Sequence, residues 1–349
     1  MLAADGTVAR LTRRHLAADT TPVQLYLRMD PRTMRSACRL ALAMLVLGGP
    51  PALAQSRLAI LALDMAQETT ARAARAAESA ALDKGWEAAL VDAHGDVGAQ
   101  GRSLETLVQQ RRTDAVLLVR TRPGELRPSL EAARSAHVPV VSVMSGVDPL
   151  TALDVTVNQF EIGARIGVHL LGLMGYDGKL LVERATSQQD TRIRGRMLDL
   201  ILSEYPSVHI AADLDADPAR SSPDALRGIL ESWLGTQLQG GVEAIWTAVD
   251  SQAFATDDIL RAKGVRRDQV VLATVDGGQE SFRRLRDPAS LLAATVVIPY
   301  ELMGEAGVDA LDDLLAGTPR EQITTGPQMF VDTVLVDRAT VPPEDEWPW

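Results

Sequence analysis

From Arg57 onward, short runs that are apolar at every position alternate with longer segments of helical period. A strand that is apolar on both faces must be covered on both faces. Helical crossovers provide that cover while keeping the strands parallel. "RLAILAL" (57–63), "WEAALVDA" (86–93), "DAVLLV" (114–119), "VPVVSV" (138–143), "KLLVER" (179–184), "VHIAADL" (208–214), "EAIWTAV" (243–249), "QVVLATV" (269–275) and "LLAATVVI" (291–298) read as strands of this kind. Helices are predicted at Glu68–Lys84 with a stop at Gly85, at Ala99–Arg111, after Pro123, and at Gln159–Met174 and Thr191–Glu204. Four more follow at Pro223–Leu238, Gln252–Lys263, Gln279–Arg286 and Tyr300–Leu314. "EQITT" (321–325) and "MFVDTVLV" (329–336) are expected to close the chain as a final pair of strands. Such a count strains one open sheet. The expected fold is therefore α/β, with two doubly wound parallel-sheet lobes.

Composition narrows the function classes. At 349 residues, 46% hydrophobic and 23% charged, the chain suits two globular units with substantial cores. The net charge of −11 argues against a nucleic-acid surface, which needs clustered cations. Near the start, Arg35 and Arg39 precede an apolar run, Leu40–Leu47, followed by Gly-Gly-Pro-Pro and then Ala52-Leu53-Ala54. This is the layout of a secretory signal peptide over 34–54, cut before Gln55. The run is too short to span a bilayer. Residues 1–33 fit neither part and read as a non-native or mis-assigned extension. Cys38, the only cysteine, would leave with the signal segment, so the exported chain needs no disulfide in the periplasm.

In open parallel sheets, ligands sit beyond the carboxyl ends of the strands. That rule selects Asp64 and Gln67 after the first strand, Met144 and Ser145 after "VPVVSV", the turns around Asn158 and Arg192, and the strand-end acids Asp250 and Asp276. Helix capping is the competing reading for Asn158, Asp250 and Asp276. For Arg192 the competing reading is a solvated helix face, since only three of the 35 basic residues are lysine and arginine is common throughout. Asp213, Asp215, Asp217 and Asp224 fall at EF-hand-like offsets. Pro218 stands where that loop needs glycine, so they read as a solvated acidic turn. Histidines 94, 137, 169 and 209 lack ligand spacing, so no metal and no cofactor is expected. No G-x-G-x-x-G, Walker A or G-x-S-x-G pattern points to an enzyme.

Several segments, taken in order, carry a resemblance. "VNQFEIGARIG", "TRIRGRMLDLI", "IWTAVDSQAFAT", "VVLATVDGGQES" and "AATVVIPYELMGEAGVDAL" are similar to successive motifs of the type I periplasmic binding proteins, in their sugar-binding branch. The resemblance covers 57–338. It implies two lobes joined by a three-crossover hinge, 57–156 with 298–325 and 157–297 with 326–338, followed by a tail at 339–349. It also implies a monomer that closes on a small-molecule ligand and presents it to the membrane permease of an ABC transporter. A membrane histidine kinase or chemoreceptor is the alternative partner. Within that resemblance Asp276 takes ligand hydroxyls, Arg192 clamps ligand oxygens and Asp250 faces the cleft. The pattern departs at Val249, Met144-Ser145 and Val297, where the family carries polar groups, and the first loop lacks paired aromatics. Tyr300 is the candidate for an aromatic wall. These departures imply a less polar or smaller ligand than a free pyranose.

Overall fold

The computed structural model describes residues 55–237 and 241–344. The predicted signal segment and the tryptophans of the tail, Trp347 and Trp349, lie outside those residues.

The apolar runs form two six-stranded sheets. In the first, β1 (Arg57–Ala62), β2 (Glu87–Asp92), β3 (Ala115–Val119), β4 (Val140–Val143), β5 (Leu153–Thr156) and β11 (Gln328–Phe330) lie in the order β2-β1-β3-β4-β5-β11, all parallel. The second contains β6 (Gly178–Arg184), β7 (Val208–Asp215), β8 (Ala244–Thr247), β9 (Val271–Asp276), β10 (Leu292–Val297) and β12 (Val334–Asp337), in the order β7-β6-β8-β9-β10-β12. Here β12 runs antiparallel to β10, so this sheet is not wholly parallel.

The inner strands of each sheet are buried on both faces, as continuous apolar runs require, whereas the edge strands β2 and β7, also expected to be covered, are largely open. In β1, Leu58, Ile60 and Ala62 face one core cluster while Ala59 and Leu61 face another. The first cluster is covered by α1 (Glu68–Asp83) and α9 (Tyr300–Leu315). These helices cross so closely that a Cβ on Gly304 would lie 2.1 Å from the Ala73 carbonyl oxygen, so only glycine fits there. The second cluster is covered by α2 (Val97–Gln109) and α3 (Arg127–Ser135). In the other lobe α4 (Gln159–Leu173) and α5 (Gln189–Leu202) cover one face, with α6 (Pro223–Gln237), α7 (Asp250–Ala262) and α8 (Gln279–Arg286) on the other.

Two segments differ from the sequence expectation. "EQITT" is not a strand, because Arg320–Ile323 forms a short helix (α10) directly after Pro319. Pro319 is the extended residue before that helix (φ −60°, ψ 140°), and proline lacks the N–H a ladder would need. "MFVDTVLV" is split: Gln328–Phe330 pairs with β5 of the first sheet and Val334–Asp337 with β10 of the second. The third passage between the sheets therefore falls after Phe330 and not at the 325/326 boundary. The other two passages follow Thr156 and Val297. The apolar pattern also missed β5, whose four residues include the buried Asp154. No helix among the described residues is long and apolar enough to cross a membrane.

Candidate functional site

The carboxyl ends of β3, β4 and β9 share a backbone feature. The residue leaving each strand is left-handed and is not glycine: Arg120 (φ 65°), Met144 (φ 50°) and Asp276 (φ 111°). Each such residue costs about 1–3 kcal/mol, and such strain collects at ligand sites. All three side chains line the space between the lobes. Two adjoining chambers make up that space, one of about 290 Å³ and one of about 860 Å³.

Asp276 and Tyr300 face the smaller chamber. One Asp276 carboxylate oxygen accepts from Arg194 Nη1 at 3.2 Å and from the Tyr300 hydroxyl at 3.1 Å. Arg194 is buried, and its guanidinium also donates to Gln159 Oε1 (2.8 Å) and the Ala248 carbonyl (2.9 Å). Burial raises the Asp276 pKa, while the Arg194 charge pulls it back. Burial also pushes the Tyr300 phenol well above its usual range, so it remains a donor. Its ring is buried beneath the Arg72 guanidinium, 5.1 Å from the centroid. Tyr300 therefore supplies a hydroxyl and not the expected aromatic wall.

Two of the nine sequence-selected residues lie elsewhere. Arg192 lines neither chamber, since its Nη1 donates to the carbonyls of Thr186 (2.8 Å) and Ser187 (2.9 Å). Two residues along a helix is a rotation of about 200°. Arg194, on the opposite side of α5, takes the place expected of Arg192. Asp250 is buried behind the cleft wall, with one oxygen accepting from the Ser281 hydroxyl and the other unpartnered. Burial raises its pKa, and the neighbouring Asp276 charge raises it further. Burial and the neighbouring carboxylate thus both favour the protonated form of Asp250.

Neither acid caps a helix. The α7 start is capped by Gln252 Oε1, which accepts from the backbone of Ala248 (3.0 Å) and Val249 (3.2 Å). The α8 N-cap is Gly278. The turn at Asp276 requires glycine next, because Gly277 has φ 67° and a Cβ there would lie 2.7 Å from Val297. Val297 is thus packed under that turn and contributes no wall to the chambers.

Asp64, Gln67, Met144, Ser145 and Asn158 line the larger chamber, and Gln67 the smaller one as well. Asp64 closes its own turn by accepting from Ala66 N (3.0 Å). Asn158 caps α4 through Phe160 N (3.2 Å) and Glu161 N (3.3 Å), so capping and cavity lining coexist there. Ser145 Oγ accepts from Thr121 N (3.1 Å) and donates to the Val143 carbonyl (2.9 Å), which fixes the β4 turn.

The sequence reading missed Arg120, Gln188, Asp190 and Arg194. Arg120 comes from the first lobe and donates to Gln188 Oε1 of the second at 2.9 Å, with Asp190 3.8 Å away. A second link joins Arg72 on α1 to the Gly277 carbonyl at 3.0 Å. The acidic turn is spent on local contacts: Asp213 pairs with Arg184, Asp215 with Arg220, and Asp217 accepts from Ser187 N (2.7 Å). Among the described residues no cluster of three or more His, Cys, Asp or Glu could hold a metal.

Residues 62–319 match the family model described as "Periplasmic binding protein domain". The ribose import binding protein of Bacillus subtilis is 26% identical over 255 residues, 72% of this chain and 78% of that protein. A xylitol-binding protein of Mycolicibacterium smegmatis is 23% identical over 258 residues, 71% of this chain and 68% of that protein. In fold, the chain is similar to an ABC transporter solute-binding protein from Agrobacterium vitis crystallised with allitol. The TM-score is 0.69 at 23% identity, covering 83% of this chain and 98% of that one.

Proposed function

The chain belongs to the periplasmic binding protein family, and we propose that it captures a neutral polyhydroxylated molecule, a monosaccharide or a polyol, and delivers it to an ABC permease. It is a binding protein and not an enzyme. The observation that carries the reading is the balance of charge in the smaller chamber. Arg194 sits against Asp276 and Arg120 against Asp190, while the third carboxylate, Asp217, faces Arg220 at 3.8 Å from outside the chamber, so each charge in the lining has a counter-charge. A hydroxyl both donates and accepts, and charge-assisted bonds to such groups are roughly twice as strong as neutral ones. A charged ligand would compete with one member of a pair for its counter-charge, and the Arg194–Asp276 pair is largely buried. The ribose and xylitol relatives agree with this class.

The same reading places the chain in the periplasm, exported through the 34–54 segment and cut before Gln55. Intact mass of the exported protein tests the cut. Thermal-shift measurements against pentoses, hexoses, alditols and inositols, alongside amines, amino acids and small carboxylates, test the ligand class. A bound ligand at 100 times its Kd adds about 2.7 kcal/mol to folding stability. Stabilisation by the hydroxylated solutes is expected. Stabilisation by charged solutes alone would overturn the reading.

A further inference from the structure

The polar chamber beside Asp276 accounts for the smaller part of the cleft. The remaining chamber, of about 860 Å³, sets an apolar group of side chains among polar ones such as Arg122, Glu125 and Gln189. It contains Met144, Val147 and Ile193 together with two phenylalanines, Phe160 and Phe330. The chain has only four phenylalanines. Phe282 is buried in the core, and Phe254 lies under the Arg284 guanidinium at 5.0 Å. Phe160 and Phe330, by contrast, are 58% and 56% exposed, and both line this one cavity. A large apolar ring left open to solvent in a ligand cavity is a stacking surface, since aromatic faces favour offset contact with flat groups.

Position reinforces the point. Phe160 follows the Asn158 cap that starts α4, just after the first passage between the lobes. Phe330 ends β11, just before the third. A group lying on both rings would touch the two segments about which the lobes turn. The two chambers adjoin, with Gln67, Arg120, Gln188 and Asp190 in the walls of both. One molecule reaching into both would pass beside the Arg120–Gln188 contact. Ligand sites commonly measure about 300–1,000 Å³. The smaller chamber is at the bottom of that range, and the larger chamber adds room that a monosaccharide or polyol does not fill.

We infer that the ligand has two parts. A polyhydroxylated head sits against Asp276, Arg194 and Tyr300, and a flat, weakly polar substituent lies against Phe160 and Phe330. This rests on the polyhydroxylated reading of the smaller chamber given above. The ligand class is thus a glycoside, or a similarly substituted sugar, with an aromatic or apolar aglycone.

The test is calorimetric titration of the exported protein with matched pairs: D-ribose, D-xylose, D-glucose and D-galactose, each beside its phenyl β-glycoside. In at least one pair the phenyl glycoside is expected to bind ten-fold or more tightly than the free sugar. Phe160→Ala and Phe330→Ala are each expected to lose at least ten-fold more affinity for that glycoside than for the free sugar. Asp276→Asn is expected to weaken both members of the pair alike. Phe160→Leu and Phe330→Leu, which keep apolar bulk but lose the flat face, should fall between wild type and alanine. Free sugars that bind as well as their phenyl glycosides would overturn the inference and leave the polyhydroxylated reading standing. Equal losses for both ligands in the phenylalanine variants would do the same. Failure of every pair to bind would overturn both.

Discussion

Arg120 and Gln188 meet across the cleft, Nη2 to Oε1 at 2.9 Å, joining the end of a first-lobe strand to the residue that precedes a second-lobe helix. Few other side chains span the gap so directly, so this pair helps to set the angle between the lobes.

Arg120→Ala and Gln188→Ala are each expected to widen the mean opening, read as a larger radius of gyration by small-angle scattering. A double-mutant cycle on unfolding free energy should give a coupling of about 1 kcal/mol. Strict additivity would show that the contact carries no energy.

Asp276→Ala removes the carboxylate that faces buried Arg194. Taking away one member of a buried pair costs about 3–5 kcal/mol, because the other charge remains. The variant should therefore lose ligand-induced thermal stabilisation and also melt lower in its free form. Asp276→Asn, which keeps an acceptor oxygen for Tyr300, should lose binding with a smaller drop in melting temperature. A free form as stable as wild type would contradict the geometry of the pair.

Asp250 gives a pH signature. Its pKa is raised in the folded protein by burial and then by the Asp276 charge, so the folded state holds a proton that the unfolded chain releases near the ordinary carboxylate value. Its contribution to stability is complete below that ordinary value and is lost as pH rises through the elevated one. Asp250→Asn mimics the protonated form. Relative to wild type, the variant should gain stability steadily as pH increases from about 4 towards about 9. Denaturation midpoints across that range measure it, and a pH-independent difference would refute the assignment of the proton.

Gly304→Ala tests the helix crossing. The new methyl would fall 2.1 Å from the Ala73 carbonyl, and backbone must move to admit it. Overpacking of this kind costs about 3 kcal/mol. Urea titration should show a lower midpoint with an unchanged slope.

Much of this architecture was legible in the residues. The strand periodicity gave the two sheets because strands buried on both faces are written as unbroken apolar runs, as in "DAVLLV". It failed at Leu153–Thr156, where four residues carry a buried Asp whose Oδ1 accepts from the Ser142 hydroxyl and the Ser145 N–H. No local pattern announces such a partner. It failed again at 321–325, where β-prone residues follow a proline that starts a helix.

At the cleft, the strand-end rule found Asp64, Met144, Ser145 and Asp276 because parallel topology puts those ends together. It did not separate Arg192 from Arg194, since only the rotation of α5 against its neighbours decides which side chain turns inward. Applied to "DAVLLVR", the same rule reaches Arg120, but an arginine-rich composition hid it. Phe160 stands in the first turn of α4 and Phe330 ends β11, each beside a passage between the lobes, and only the cavity draws them together.

The last two strands have a consequence for how the two lobes are completed. Strand β11 completes one sheet and β12 the other, and only residues 331–333 separate them. Both lobes thus depend on one short stretch, 328–337, for one of their borders. A chain lacking that stretch carries two unfinished edges at once, one on each sheet.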